Sequence, residues 1–151
     1  MHAHRYRLPL FIVVSAIVFS FSAFGDDQPQ WGAPFTRNMI SKEKGLPTNF
    51  NLESGENILW TAPLGGGAYG SPIISQGCVF IGSNNSEPRD LRHQGDRGAM
   101  YCLDEKDGSL RWQFLTPRIG GDDYLDWPWI GLCSSPTVEG NRVYTVTNRA
   151  E

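Results

Sequence analysis

The chain has 151 residues, with 13 Lys and Arg against 16 Asp and Glu, for a formal net charge of −3. Setting aside Arg5 and Arg7, 13 less 2 leaves 11 basic residues against 16 acidic, a net of −5 that excludes nucleic acid or anionic lipid as the main partner. Three histidines and three scattered cysteines, with no C-x-x-C, exclude an ordinary zinc site and an attached c-type haem.

In chain order, a basic lead from Met1 to Arg7 precedes an apolar run from Leu8 to Phe24, broken by Pro9, Ser15, Ser20 and Ser22. Small residues at Ala23 and Gly25 complete the pattern of a secretory signal peptide over residues 1–25, with a mature chain starting at Asp26. The run is short of the ~20 residues a bilayer needs, so a membrane is met only through the leader if it stays uncleaved. The protein is therefore expected in the periplasm or outside the cell. Residues 26–54 form a lead segment, and Ile58-Leu59-Trp60-Thr61 reads as a strand.

Next come Gly65, Gly67 and Gly70 in the G-x-G-x-x-G spacing of dinucleotide loops. Such a loop cradles phosphate only if a helix opens directly behind it. Ser71-Pro72-Ile73-Ile74 and the turn residues Gln76-Gly77 leave no room for one, and Ser71 stands where a phosphate-loop lysine belongs. The context argues against phosphate binding, and the glycines need another explanation.

The segment Ser71 to Ile81 lies over Ser135 to Thr145 at a constant offset of 64, without a gap. Each copy reads as a strand, a two-residue turn (Gln76-Gly77, Gly140-Asn141) and a second strand. Ala99 to Leu103, the turn holding Asp107-Gly108, and Leu110 to Phe114 make a further hairpin. Val79-Phe80-Ile81 and Met100-Tyr101-Cys102-Leu103 are apolar on both faces of their strands, which requires cover on both sides of the sheet. Repeating four-stranded units covered on both faces point to an all-β fold, a partial β-propeller built from four-stranded antiparallel blades.

The run Cys102-Leu103-Asp104-Glu105-Lys106-Asp107-Gly108-Ser109-Leu110-Arg111-Trp112 resembles the tryptophan-docking motif of the pyrroloquinoline quinone (PQQ) propeller repeat. Asp104, Gly108 and Trp112 match it in type and spacing; Cys102 replaces an alanine and Asp107 a threonine. The resemblance implies PQQ-like repeats over residues 55–151, one full blade with parts of two neighbours. It also implies docking roles for Trp60, Asp104, Gly108 and Trp112, with Trp112 packed between adjacent blades. The opening glycines then fall on an interblade connection, where the chain would turn sharply toward the axis. A ring closes with about four to eight blades, so the chain is expected to be the N-terminal piece of a longer exported protein or a truncated reading frame, partnered by the remaining blades.

In a blade, the long connections emerge on one face. Asn85 to Gly98, Pro117 to Ser134 and Gly65 to Gly70 place Tyr69, Arg89, Arg92, His93, Arg97, Arg118, Asp122, Asp123, Asp126, Trp127 and Trp129 there. Arginines in such a loop set could clamp an acidic ligand, tryptophans could stack, and the aspartates could offer hard oxygens to calcium. Asp122-Asp123-x-x-Asp126 nonetheless lacks the ligand count and bidentate glutamate of a calcium loop, and no metal site is assigned. Asn84-Asn85-Ser86 has the glycosylation pattern. In an oxidising compartment one pair among Cys78, Cys102 and Cys133 could bridge, and the sequence leaves the pairing open.

By resemblance, quinoprotein dehydrogenases hold PQQ with calcium on the ring axis, beside an aspartate base and often a disulfide between neighbouring cysteines. None of those residues maps to a position here, so no catalytic or cofactor-binding residue is assigned. The propeller subunit of the outer-membrane barrel-assembly machinery uses the same repeat without a cofactor. The expected function is a binding or scaffold module that takes a protein or small-molecule ligand on its loop face. The competing expectation is a PQQ-dependent alcohol or sugar dehydrogenase whose catalytic residues lie in further blades.

Overall fold

The computed structural model of the chain describes residues 25–120, 124 and 126–150. All of the expected leader except Gly25, together with Asp122 and Asp123, lies outside the described residues. The fold is all-β. Strands β1 (Ile73–Ser75), β2 (Cys78–Asn84), β3 (Arg97–Asp104) and β4 (Leu110–Pro117) form one antiparallel sheet in the order β1-β2-β3-β4. Strands β5 (Thr137–Glu139) and β6 (Arg142–Tyr144) form a separate hairpin. No helix occurs among the described residues, and none there is long and apolar enough to cross a membrane.

The turns explain the hairpins. Gln76 and Gly77 carry φ of 54° and 70°, the left-handed pair that a two-residue turn needs to match strand twist. Ser75 consequently faces Cys78, and Glu139 faces Arg142 in the second hairpin. Side chains alternate across the sheet, which divides the core in two. On one face Ala99, Tyr101 and Leu103 are buried against Trp60, Ala62 and Leu64 of the incoming chain. On the other, Ile73, Cys78, Phe80 and Cys102 are buried beneath Val138 and Val143 of β5 and β6. Both faces of the sheet are covered over β1 to β3, as the two-sided apolar strands required, while the edge strand β4 stays largely exposed.

Contacts recur at the spacing of the repeat. Ser71 N donates to Ser135 Oγ at 2.8 Å and Gln76 Nε2 to Gly140 O at 2.7 Å, each pair 64 residues apart. Residues equivalent by sequence are thus neighbours in space. The lead segment bridges them: Gln28 exchanges hydrogen bonds with Ile74 (2.7 and 3.1 Å), and Pro29 O accepts from Val138 N at 2.7 Å. Asp27 Oδ2 accepts from Gln76 N at 2.9 Å and Ser75 Oγ at 3.3 Å.

Three expectations change. Residues 58–61 form no strand, because no neighbouring strand offers them a ladder; Ile58 N instead closes a turn onto Gly55 O at 3.2 Å. None of the opening glycines has a positive φ. Two of them are required by close approach instead: a Cβ on Gly65 would strike the carbonyl oxygen of Asn84, and one on Gly70 would lie 2.7 Å from Ser134 O, whereas one on Gly67 would meet only the Tyr69 ring at 3.5 Å. Trp112, expected between packed sheets, is 41% exposed and meets Phe80 at a ring separation of 5.9 Å, because β5 and β6 lie over the β1 side of the sheet and leave the edge strand β4 open.

Candidate binding face at the loop end of the sheet

The connections β2–β3 and β4–β5 and the chain entering β1 meet at one end of the sheet. Asn84, the last residue of β2, joins them. Its Oδ1 accepts from Gly66 N (2.9 Å) and Ser86 N (3.1 Å), while its Nδ2 donates to Trp129 O. Asparagine suits this post because its short amide reaches the backbone on both sides. The same engagement answers the glycosylation pattern: the Asn84 amide is buried at 3% exposure and committed to Trp129.

A second junction lies beside it. Asp96 Oδ2 accepts from Trp129 N at 2.8 Å and sits 3.6 Å from Arg118 Nε. Arg118 Nε also donates to Asp126 O at 2.8 Å. The Asp126 carboxylate is buried, taking Ile119 N at 2.7 Å and Asn148 Nδ2 at 2.8 Å. Asn148 Oδ1 in turn accepts from Thr116 Oγ1 at 2.5 Å. Asp126 therefore fastens the β4–β5 connection to the end of β4 and to the residues after β6. Among the described residues no group of His, Cys, Asp and Glu could hold a metal.

The four arginines do not converge as a clamp. Arg89 lies over the Tyr101 ring at 5.3 Å from its centroid and donates Nη2 to Pro63 O. Arg92 is held by Asp90 at 2.7 Å, and its guanidinium keeps the Asp90 carboxyl far below the usual carboxylate range. Arg97 Nε donates to Gln94 O at 3.2 Å, and Arg118 belongs to the junction above. His93 contributes its backbone, receiving Asn85 Nδ2 on its carbonyl at 2.7 Å, while its side chain is exposed. The four guanidiniums are thus engaged separately, Arg92 and Arg118 with carboxylates and Arg89 and Arg97 with backbone carbonyls, and they share no ligand-facing cluster.

The aromatics remain. Tyr69, Tyr124, Trp127 and Trp129 are exposed on these loops, Trp127 at 61%. Beside them a cleft of about 400 Å³ is lined by Asp126, Ile130, Gly131, Cys133, Ser134 and the residues 146–148. Burial, with the Asp126 charge, pushes the Cys133 thiol up and keeps it protonated at neutral pH. Exposed rings on a braced backbone can stack on flat apolar faces such as a sugar ring or a proline.

Of the residues expected to dock, Trp60, Asp104 and Gly108 do come together. Trp60 Nε1 donates to Glu105 O at 2.7 Å, and its ring covers Gly108, where a Cβ would lie 2.5 Å from Cε3. Asp104 shapes that turn by accepting from Lys106 N at 2.9 Å and from Arg111 at 2.7 Å. Sequence reasoning missed Asn84 as a brace and Asn148 altogether. A polar amide at the end of an apolar strand is the signal that marks Asn84. No family model, curated protein or solved structure matches the chain.

Proposed function

We propose that the chain is a segment of an exported β-propeller of the PQQ-like type, acting as a binding module through its loop end. The repeat, the contacts at its spacing, the cover on both sheet faces and Trp60 seated on the Gly108 turn all support stacked blades. The binding reading rests on one observation: Asn84 and Asp96 tie three connections together and leave the Trp127 and Trp129 rings exposed. A braced backbone with exposed rings loses little entropy when a ligand settles on it. The arginines and Asp126 serve this module as loop supports, and its ligand is a protein segment or small molecule presenting a flat apolar face.

The test uses the full chain, with wild type and Trp127→Ala applied to immobilised glycans and proline-rich peptides. Binding that is lost in Trp127→Ala, at unchanged melting temperature, supports the reading; no retained probe overturns it. In parallel, PQQ and calcium are added in a dye-linked oxidation assay over alcohols and sugars. Turnover there would replace the binding module with a quinoprotein dehydrogenase. N-terminal sequencing of exported material checks the leader, and Asp26 is the expected first residue.

A further inference from the structure

The strand register brings together two cysteines that the binding face does not use. Cys78 opens β2 opposite Asp104, and Cys102 stands two residues earlier on β3, so both side chains lie on the same face. Glu105 N donates to Gly77 O at 3.1 Å, which makes Cys78 and Asp104 a non-hydrogen-bonded pair; Phe80 and Cys102 are the next such pair along the ladder. At those positions facing side chains approach most closely. Both cysteines are buried in one cluster with Ile73 and Phe80. Burial, and then hydrogen-bonding contact with the Cys78 thiol, push Cys102 up to about 12.

The third component comes from β4. Arg111 is the extra residue where the β3–β4 register shifts beside Cys102 and Leu103. Its Nη1 donates to Cys78 Sγ at 3.0 Å, while Nε and Nη2 hold Asp104 Oδ2 at 3.0 and 2.7 Å. Cys133 sits apart, on the exposed cleft, with its thiol toward Gly131 O at 3.9 Å.

We infer that Cys78 and Cys102 form a dithiol–disulfide site, closed by exchange with a small-molecule disulfide, in which Arg111 positions Cys78 as the attacking sulfur. Cys78, deprotonated, attacks one sulfur of the oxidant, forming a mixed disulfide and releasing one thiolate. Cys102 passes its proton to the first released thiolate and attacks the Cys78 sulfur, closing the intramolecular bond and releasing the second thiolate. Two electrons pass from the protein to the oxidant, and the two protons end on the released thiols. Diagonal strand neighbours lie about 7–8 Å apart, against about 4.4–6.8 Å between bridged Cα atoms. Closure therefore draws the start of β2 along β3, and the adjoining turn at Gln76-Gly77 and the bulge at Arg111 supply the movement. The inference is independent of what the loop face binds and of export.

The experiment uses the full wild-type chain, reduced and then incubated with oxidised glutathione, quenched in acid, unfolded and alkylated. Expected are three alkylated thiols in the reduced protein and one in the oxidised protein, with peptide mapping joining Cys78 to Cys102 and leaving Cys133 labelled. Cys133→Ser should lose both remaining thiols at the same rate. Arg111→Gln should reach the same end point with the first step about tenfold slower, as loss of a charge-assisted contact to sulfur implies. Three alkylated thiols after oxidation, a bridge that includes Cys133, or glutathione persisting on Cys78 would each overturn the site. An unchanged rate in Arg111→Gln would remove the role of that residue.

Discussion

The hairpins β1–β2 and β5–β6 carry the same sequence pattern and each closes on a two-residue turn, yet their burial differs. Phe80 is 6% exposed, whereas Tyr144, its equivalent 64 residues on, is 47% exposed. The first hairpin lies between β3 and the covering chain on both faces; the second has no strand beyond β6 among the described residues. Burial in a repeat thus belongs to the neighbours of a unit more than to its own sequence.

The widest test of that difference compares Phe80→Ala with Tyr144→Ala. Phe80→Ala is expected to cost ~3–5 kcal/mol by denaturant unfolding, as a buried aromatic truncated to alanine does. Tyr144→Ala is expected to cost under about 1 kcal/mol, within the range of surface substitutions. Equal costs would show that the second hairpin is as well packed as the first. Next in size, Trp60→Ala should cost about 2–3 kcal/mol and Trp112→Ala about half that, scaled from the same truncation series by their burial. Differential scanning calorimetry ranks the two, and the reverse order would move the docked tryptophan to β4.

Legibility in the sequence follows the same divide. The hairpins were readable because Gln76-Gly77, Gly140-Asn141 and Asp107-Gly108 are local turn chemistry, and the two-sided cover because Val79 to Ile81 and Met100 to Leu103 are apolar throughout. Residues 58–61 have strand composition, yet a strand exists only where a partner offers its ladder, which is a tertiary fact. The exposure of Trp112 likewise depends on which side of the sheet β5 and β6 cover. Arg89, Arg92, Arg97 and Arg118 looked like a clamp in a list of charges. Arg92 and Arg97 are held by near neighbours in the chain, Asp90 and Gln94 O, whereas the partners of Arg89 and Arg118, Pro63 O and Asp96, are met only once the loops fold back.

A smaller effect probes the loop end. Asn84→Ala strips a partner from Gly66 N and Trp129 O and is expected to cost ~1–3 kcal/mol, the usual range for orphaned buried polar groups. Hydrogen exchange should rise at Gly66 and Ser86 together; protection at both would show that the loops are not braced there. The smallest change is Trp127→Ala, expected within about 0.5 kcal/mol of the parent in stability. A melting shift as large as that of Trp60→Ala would make Trp127 a packing residue.

The short stretch Gln28–Pro29 takes its hydrogen bonds from Ile74 in one copy and from Val138 in the other. During synthesis it emerges early, yet its second anchor follows about 110 residues later, a wait of roughly 5–20 seconds at about 5–20 residues per second. For that interval half of its seat does not exist, and its backbone is open to chaperones, proteases or a neighbouring chain. Docking of residues 27–29 therefore reports that both hairpins have arrived, and its protection from proteolysis in arrested nascent chains of increasing length would time that event.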